Sequence, residues 1–320
     1  MPQEGPIVGI DIGKAKVDAC IRSLRQRSAQ PSTPQGRAAM IAWLRAHAVT
    51  TAVMEASGGY EQPWAAALRQ AGIAVRIVDP KRVRHFAKSA GQLAKNDPID
   101  AEMIAWFAET FPDAPAATAD PDRDELDRLV TARTTLVKLD AQIDNYAEHD
   151  QPGPVRRAFA ALAKTLAAQR AKLDAAIAAK LATTPAMTER AEIIASVPGL
   201  ATMASGGLIA WLPELGRVSH KAATALLGAA AYADDSGGRS GERHIKGGRR
   251  KLRNLLYVVT LGAATQHNPV LKAYYQKLRA KGKPAKVAIV ACMRKLIVIL
   301  NTMLARGQKW NPPAGATPVA

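Results

Sequence analysis

The sequence predicts an α/β N-terminal domain, a helical-hairpin coiled coil behind it, and a mainly α C-terminal domain. Three observations carry that expectation. Short β-branched runs alternate with helical stretches over residues 1–110, apolar residues then recur at spacings of three and four along two long segments, and positive charge gathers in the last third of the chain. At 320 residues and 48% hydrophobic content, the chain is long enough for about two folded cores without disulfide or metal staples. The expected division is 1–110, 111–190 and 191–309, with a disordered tail at 310–320.

Residues 7–23 (IVGIDIGKAKVDACIRS) hold two β-branched runs joined at Gly13-Lys14, the pattern of a hairpin. A helix is expected at 36–47, a strand at Thr51–Met54, a helix around 61–71 and a strand at Ala74–Val78. From Lys81 to Glu109 the pattern is helical, interrupted near Gly91 and at Pro98. Over 123–149, Leu129, Ala132, Leu136, Leu139, Ile143 and Tyr146 form a heptad seam. Pro152-Gly153-Pro154 must break that helix, and a second one, Arg156 to Leu181, returns antiparallel to it, packed in cis or pairing two protomers. Beyond 190 the chain reads as mainly helical. Val197-Pro198-Gly199-Leu200 fits a helix-hairpin-helix turn that holds a phosphate, or a turn used only for packing.

Composition narrows the class. The net charge is +17, and residues 191–320 hold 19 Lys and Arg against 5 Asp and Glu, nearly all of the excess. A field so one-sided attracts polyanions, of which nucleic acid is the usual one; an anionic membrane surface and ribosome association are the alternatives. Cys20 and Cys292 lack CxxC spacing, which argues against a zinc ribbon or disulfide framework and suits a reducing cytosol. The start, MPQEGPIVGID, has no signal pattern. Val287 to Leu304 is strongly apolar but carries Arg294 and Lys295 at its centre, so it is expected as a buried helix with both cations on a polar side. The expected location is the bacterial cytoplasm, associated with the nucleoid, without membrane partners.

Four carboxylates stand out. Asp11 lies in an apolar strand, where an uncompensated charge is expensive. Glu55 ends the strand TAVME and would emerge at its tip. Asp97 and Asp100 are three apart at a helix start and so share a face. Two strand ends and one helix converging in this way make a hard-oxygen site suited to Mg²⁺, whose ions can stabilise the attacking and leaving oxygens of a phosphodiester. Asp97 before Pro98 is also an ordinary helix cap, and Asp11 also fits the phosphate hairpin of an actin-like sugar kinase.

The second dense signal is Asp234 to Arg249. Gly237, Gly238 and Gly241 let the backbone approach a phosphate closely. Seven cations lie between 239 and 253. Of these, Arg239, Arg243, Lys246, Arg249 and Arg253 are the candidate nucleic-acid contacts, expected to hold phosphates rather than read bases. Ser236 stands beside Asp235 among them. A serine is a poor nucleophile until activated, and the alternative is a solvated Asp-Ser-Gly-Gly turn.

Asp11, Glu55 and Lys95-Asn96-Asp97-Pro98-Ile99-Asp100-Ala101 together resemble the DEDD transposases of bacterial insertion sequences, the one-ten and eleven-eleven classes. The resemblance implies an N-terminal domain similar to the Holliday-junction-resolvase version of the ribonuclease H fold, with Asp11, Glu55, Asp97 and Asp100 binding divalent metal. Asn96 stands where that family often has threonine. DDSGGRSGERHIKGGRRKLRNLLY, followed by KVAIVACMRKLIVILNTML, is similar to the family's C-terminal domain, particularly in its eleven-eleven branch. There the serine of a Ser-Gly motif is the nucleophile and forms a phosphoserine link to DNA. That role maps to Ser236, with Ser240 as the fallback. The resemblance further implies a structured noncoding guide RNA and composite sites in a homo-oligomer, dimer or tetramer. The expected function is therefore DNA cleavage and rejoining during excision and insertion of a mobile element. Its rivals are a resolvase-like nuclease using the carboxylates alone, an actin-like sugar kinase, and a non-catalytic nucleic-acid-binding protein.

Overall fold

Alternating apolar residues make β1 (Ile7–Ile12) and β2 (Lys16–Ile21) a hairpin, closed by the Gly13 amide donating to the Lys16 carbonyl at 2.9 Å. β3 (Gln26–Pro31) continues the meander as an edge strand. Its sequence, QRSAQP, is polar, so no apolar alternation announced it. Then follow α1 (Pro34–Ala46), β4 (Thr51–Glu55), α2 (Glu61–Gln70), β5 (Ala74–Val78), α3 (Pro80–Ser89) and α4 (Asp97–Thr110). The computed structural model describes residues 5–92, 97–112, 120–149, 151–232 and 244–312. It divides into two compact units, residues 1–120 and 121–320.

In the first unit the sheet order is β3-β2-β1-β4-β5, with β1, β2 and β3 antiparallel and β4 and β5 parallel to β1. Period-two alternation sends Val8, Ile10, Ala52 and Met54 to one face, against Met40, Leu44, Trp64 and Leu68 of α1 and α2. Val53 and Val78 face the other way, against Val83 and Ala87 of α3 and Ile104 and Phe107 of α4. The result is a mixed α/β unit with helices on both faces.

α4 lies directly on β1. A β-carbon at Gly9 would stand 2.2 Å from the Ala101 carbonyl oxygen and 2.3 Å from the Ala105 nitrogen, so strand and helix backbones touch there. Ala101, Ala105 and Ala108, all buried, keep that side of α4 small. Ion pairs fix its rotation: Arg27 with Glu102, and Arg22 with Glu109 at 2.8 Å. Arg76, buried on β5, donates to the Phe111 carbonyl at 2.7 Å and so caps the helix end.

The second unit is mainly helical: α5 (Pro121–Ala147), α6 (Gly153–Thr183), α7 (Pro185–Ala195), α8 (Thr202–Trp211), α9 (His220–Leu227), β6 (Ala231–Tyr232), β7 (His244–Ile245), α10 (Arg250–Gly262), α11 (Pro269–Ala280) and α12 (Ala285–Arg306). α5 and α6 form an antiparallel hairpin tied by Arg133–Asp174 at 2.9 Å and Arg170–Asp140 at 2.7 Å. Its buried seam is offset from the heptad seam read in sequence. Leu126, Val130 and Ile143 are buried, whereas Ala132, Leu139 and Tyr146 are exposed. α8 is the reason, because Gly206 packs against both Val130 and Ile177, turning the root of the hairpin towards the core. Gly199, at φ +90°, brings its turn against Ala263, where a β-carbon would come within 2.9 Å; of the two roles open to this turn, the contact supports packing.

α12 is long and apolar enough to cross a membrane by length and composition. Here Ile289, Met293, Leu296, Ile297 and Leu300 are buried in the helical core, Arg294 is exposed, and Lys295 lies 4.7 Å over the Tyr274 ring. A core helix accounts for it.

Gly9→Val is expected to lift α4 off β1 and destabilise the protein by about 1–3 kcal/mol, read as a lowered urea midpoint. An unchanged midpoint would refute the contact.

Candidate functional site

Parallel pairing sets Ile10 opposite Met54, so the next residues, Asp11 and Glu55, reach the same level at the C-terminal ends of adjacent strands. Neighbouring strands lie about 4.8 Å apart, and residues at one level point to one face. That face is the one α4 covers, because Gly9 shares it with Asp11. Asp100 immediately precedes the contact residue Ala101 and lines one cleft with Glu55. Asp97 is placed by its backbone, as the first residue of α4. The structure thus joins Glu55 and Asp100 in a cleft, sets Asp11 beside Glu55 by register, and begins α4 at Asp97. Among the described residues, no three His, Cys, Asp or Glu side chains are gathered closely enough to hold a metal ion.

Two further carboxylates at this end of the sheet escaped the sequence reading. Asp18 is the cross-strand partner of Asp11, is only 7% exposed, and pairs with Lys16 at 3.0 Å. The signal was present, since Val17 and Ala19 belong to the opposite face and Asp18 must therefore share that of Asp11. Glu61 is buried at the start of α2. Its carboxylate accepts from the Ser57 amide at 3.0 Å, the Ser57 hydroxyl at 3.0 Å and the Gly59 amide at 2.8 Å. These bonds hold the loop that leaves Glu55. Burial by itself would push the Glu61 carboxyl up, but the donated hydrogen bonds outweigh it and hold the group below its ordinary range.

Ser236, Ser240, Arg239 and Arg243 lie outside the described residues. The stem that carries them is described: β6 and β7 pair antiparallel, with Ala231 opposite Ile245 and Tyr232 opposite His244. Below this ribbon Gly228 and Gly248, at φ +77° and +68°, press together so closely that a β-carbon on Gly248 would lie 2.2 Å from the Gly228 nitrogen. Arg253 donates to the carbonyls of Gly247 at 2.8 Å and Gly228 at 3.3 Å. Arg249 makes a two-pronged pair with Glu214, at 2.7 and 2.5 Å, and reaches the Trp211 carbonyl at 2.8 Å. Both arginines therefore brace the stem. Lys246 is exposed, as are Arg250 and Lys251.

Comparison with known proteins meets this geometry at both ends. Residues 8–148, which include all four predicted acids, match the transposase family designated DEDD Tnp IS110. Residues 191–276, which include the stem, match the Transposase IS116/IS110/IS902 family. The chain belongs to the IS110 family of transposases. Its relatives include pilin gene-inverting proteins of Moraxella lacunata and Moraxella bovis, each 24% identical over 95% of this chain and 97% of the relative. An insertion element IS110 protein of Streptomyces coelicolor is 26% identical over 68% of this chain and 56% of its own length.

As a member of this family the protein is a DNA recombinase or transposase, and the DEDD class points to use of a divalent metal. The residues present fit such an ion in their donor chemistry, although their side chains are not gathered into a ligand cluster among the described residues. Carboxylate oxygens suit a hard cation, and Asp11, Glu55 and Asp100 stand at one end of the sheet on the side of α4.

Glu61→Gln is expected to destabilise the fold by about 1–3 kcal/mol at pH 7. Because the folded carboxyl is held low, that difference is complete above the unfolded value, about 4.3, and closes as pH falls through the folded one. Paired urea titrations between pH 7 and pH 3 check this; a gap independent of pH would show that ionised Glu61 is not what holds the loop.

Proposed function

We propose that this transposase cuts and rejoins DNA with a metal-carboxylate centre of Asp11, Glu55, Asp97 and Asp100 and a serine nucleophile, Ser236, during excision and insertion of its element. The observation that carries the proposal is the placement of Asp11, Glu55 and Asp100 at one end of a single sheet, in a chain whose other half presents a braced loop stem. The sheet order, with an antiparallel meander followed by two parallel strands, supports a ribonuclease-H-like fold for the first unit.

In the reaction, the Ser236 oxygen bonds to phosphorus while the bond from phosphorus to the leaving sugar oxygen breaks. The serine proton passes to a base and the leaving oxygen takes one up; rejoining reverses both transfers. Bound Mg²⁺ supplies charge neutralisation at the phosphate and activation of the hydroxyl. Asp11 and Glu55 are held by strand register, Asp100 by the contact of α4 with Gly9, and the loop after Glu55 by Glu61. Lys246, with Arg239 and Arg243, holds phosphates. Arg249 and Arg253 act first as braces of the stem, which the count of cations alone did not distinguish.

A guide RNA remains part of the proposal on the strength of family resemblance and the basic second half. So does a homo-oligomer with composite sites, dimeric or tetrameric. The exposed Leu139 and Leu162 on the α5–α6 hairpin offer an apolar face for pairing. The bacterial cytoplasm, at the nucleoid, is where such a reaction would run.

The deciding test is a two-plasmid recombination assay with the gene and its flanking noncoding DNA. Ser236→Ala and Asp11→Asn are each expected to lower junction yield by more than about a hundredfold. Junctions that survive Ser236→Ala but not Asp11→Asn would sink the serine mechanism in favour of a resolvase-like nuclease, or move the nucleophile to Ser240.

A further inference from the structure

We infer that the outer face of α3 is the seat of the DNA strand to be cut: Lys81, Arg84, His85 and Lys88 hold its phosphates beside Glu55 and Asp100. The inference rests on the carboxylates being the site of DNA cleavage, and it assigns that site its strand-binding surface. The four residues follow the spacing i, i+3, i+4, i+7, which places them on one side of a helix. Val83 and Ala87, on the opposite side, are buried against α4, so the basic side is turned outward. Lys81, His85 and Lys88 are exposed and Arg84 is half-buried. All four line the same cleft as Glu55 and Asp100, a cleft that Val83 and Ala87 also line.

Three features separate this face from an ordinary solvated one. First, α3 (PKRVRHFAKS) contains no acidic residue, so none of its cations is paired with an acid within the helix itself. Second, its remaining arginine, Arg82, is diverted from the cleft to lie 5.3 Å over the Phe107 ring. Third, carboxylates gathered at the ends of β1 and β4 repel a phosphodiester, and a strand can settle there only if cations alongside offset the repulsion. Lys81 to Lys88 spans about 10 Å at 1.5 Å per residue, enough to reach more than one phosphate of a strand. Lys81, Arg84 and Lys88 supply charge, and His85 supplies a ring N–H.

The test is binding by the full-length protein without divalent metal, measured by fluorescence anisotropy across a salt series. The probes are a single-stranded DNA from the element end and an RNA of the same sequence. K81E/K88E is compared with K164E/K172E on α6, which changes net charge equally, and with K81R/K88R, which keeps it. Near-UV circular dichroism confirms that each folds. The surface predicts that K81E/K88E weakens DNA binding at least tenfold and lowers the slope of log affinity against log salt by about 1.4, while both controls stay within about threefold of wild type. Equal losses in K81E/K88E and K164E/K172E would overturn it, showing only a general field. So would a loss confined to RNA, or no loss at all. Strand exchange by K81E/K88E at the wild-type level would overturn this surface and leave the recombinase reading standing. A wild type that exchanges no strands while K81E/K88E loses DNA would do the reverse.

Discussion

The contact between Gly9 and the backbone of α4 is the constraint on which the carboxylate site depends. Parallel pairing alone would bring Asp11 and Glu55 to one level, but it would leave them at an open sheet end. Because the strand carries no side chain at residue 9, Ala101 and Ala105 rest on it directly, and the start of α4 is delivered to the end of β1. Register makes the arrangement all-or-none. A slip of one residue in either strand would turn its carboxylate to the α1–α2 face, into the packing of Met40, Leu44 and Trp64. Arg27–Glu102 and Arg22–Glu109 then oppose rotation of α4 about its own axis, which is what would carry Asp100 away from Glu55.

Electrostatics in the two halves follow opposite logics. The first unit has only a small excess of positive charge, yet it concentrates acids at one strand end and lines the adjoining cleft with the cations of α3. The second half is strongly basic by composition, but two of its best-placed arginines are spent internally. Arg249 faces Glu214, whose carboxyl burial would push up and the Arg249 bonds hold down. Arg253 faces backbone carbonyls. Arginine's fixed fork of donors serves carbonyls and carboxylates as readily as phosphates, so charge density measures attraction at a distance and says little about which guanidinium touches the ligand.

Much of this was legible in the sequence, for reasons that also explain what was not. β5 could be read to the residue, and β4 to within one at its end, because apolar runs bounded by turn residues have few other solutions. β3 could not, since an exposed edge strand has no buried face to leave a periodic mark. Asp18 looked like one more charge in a hairpin; its burial comes from α4, more than eighty residues later. The hairpin helices were evident from spacing, but the side of α5 that is buried depends on α8, and Gly206 alone does not announce that. The pairing of Arg249 with Glu214, 35 residues away, leaves no local mark in the sequence.

The stem of the serine loop also bears on the choice between mechanisms. A surface turn of Asp-Ser-Gly-Gly needs nothing beneath it, and loops closed by weak stems are common on proteins. Here a two-residue ribbon is reinforced by two glycines with positive φ in backbone contact, by Arg253 across both carbonyls, and by the Arg249–Glu214 pair anchored to the end of α8. Only glycine reaches those backbone angles without strain, and each of these contacts restricts where the loop ends can go. A turn left to solvent would not need such bracing. A nucleophile that must meet a phosphate at bonding distance would, because in-line attack tolerates little displacement of the attacking oxygen. The bracing of β6 and β7 thus meets a requirement of the proposed serine mechanism.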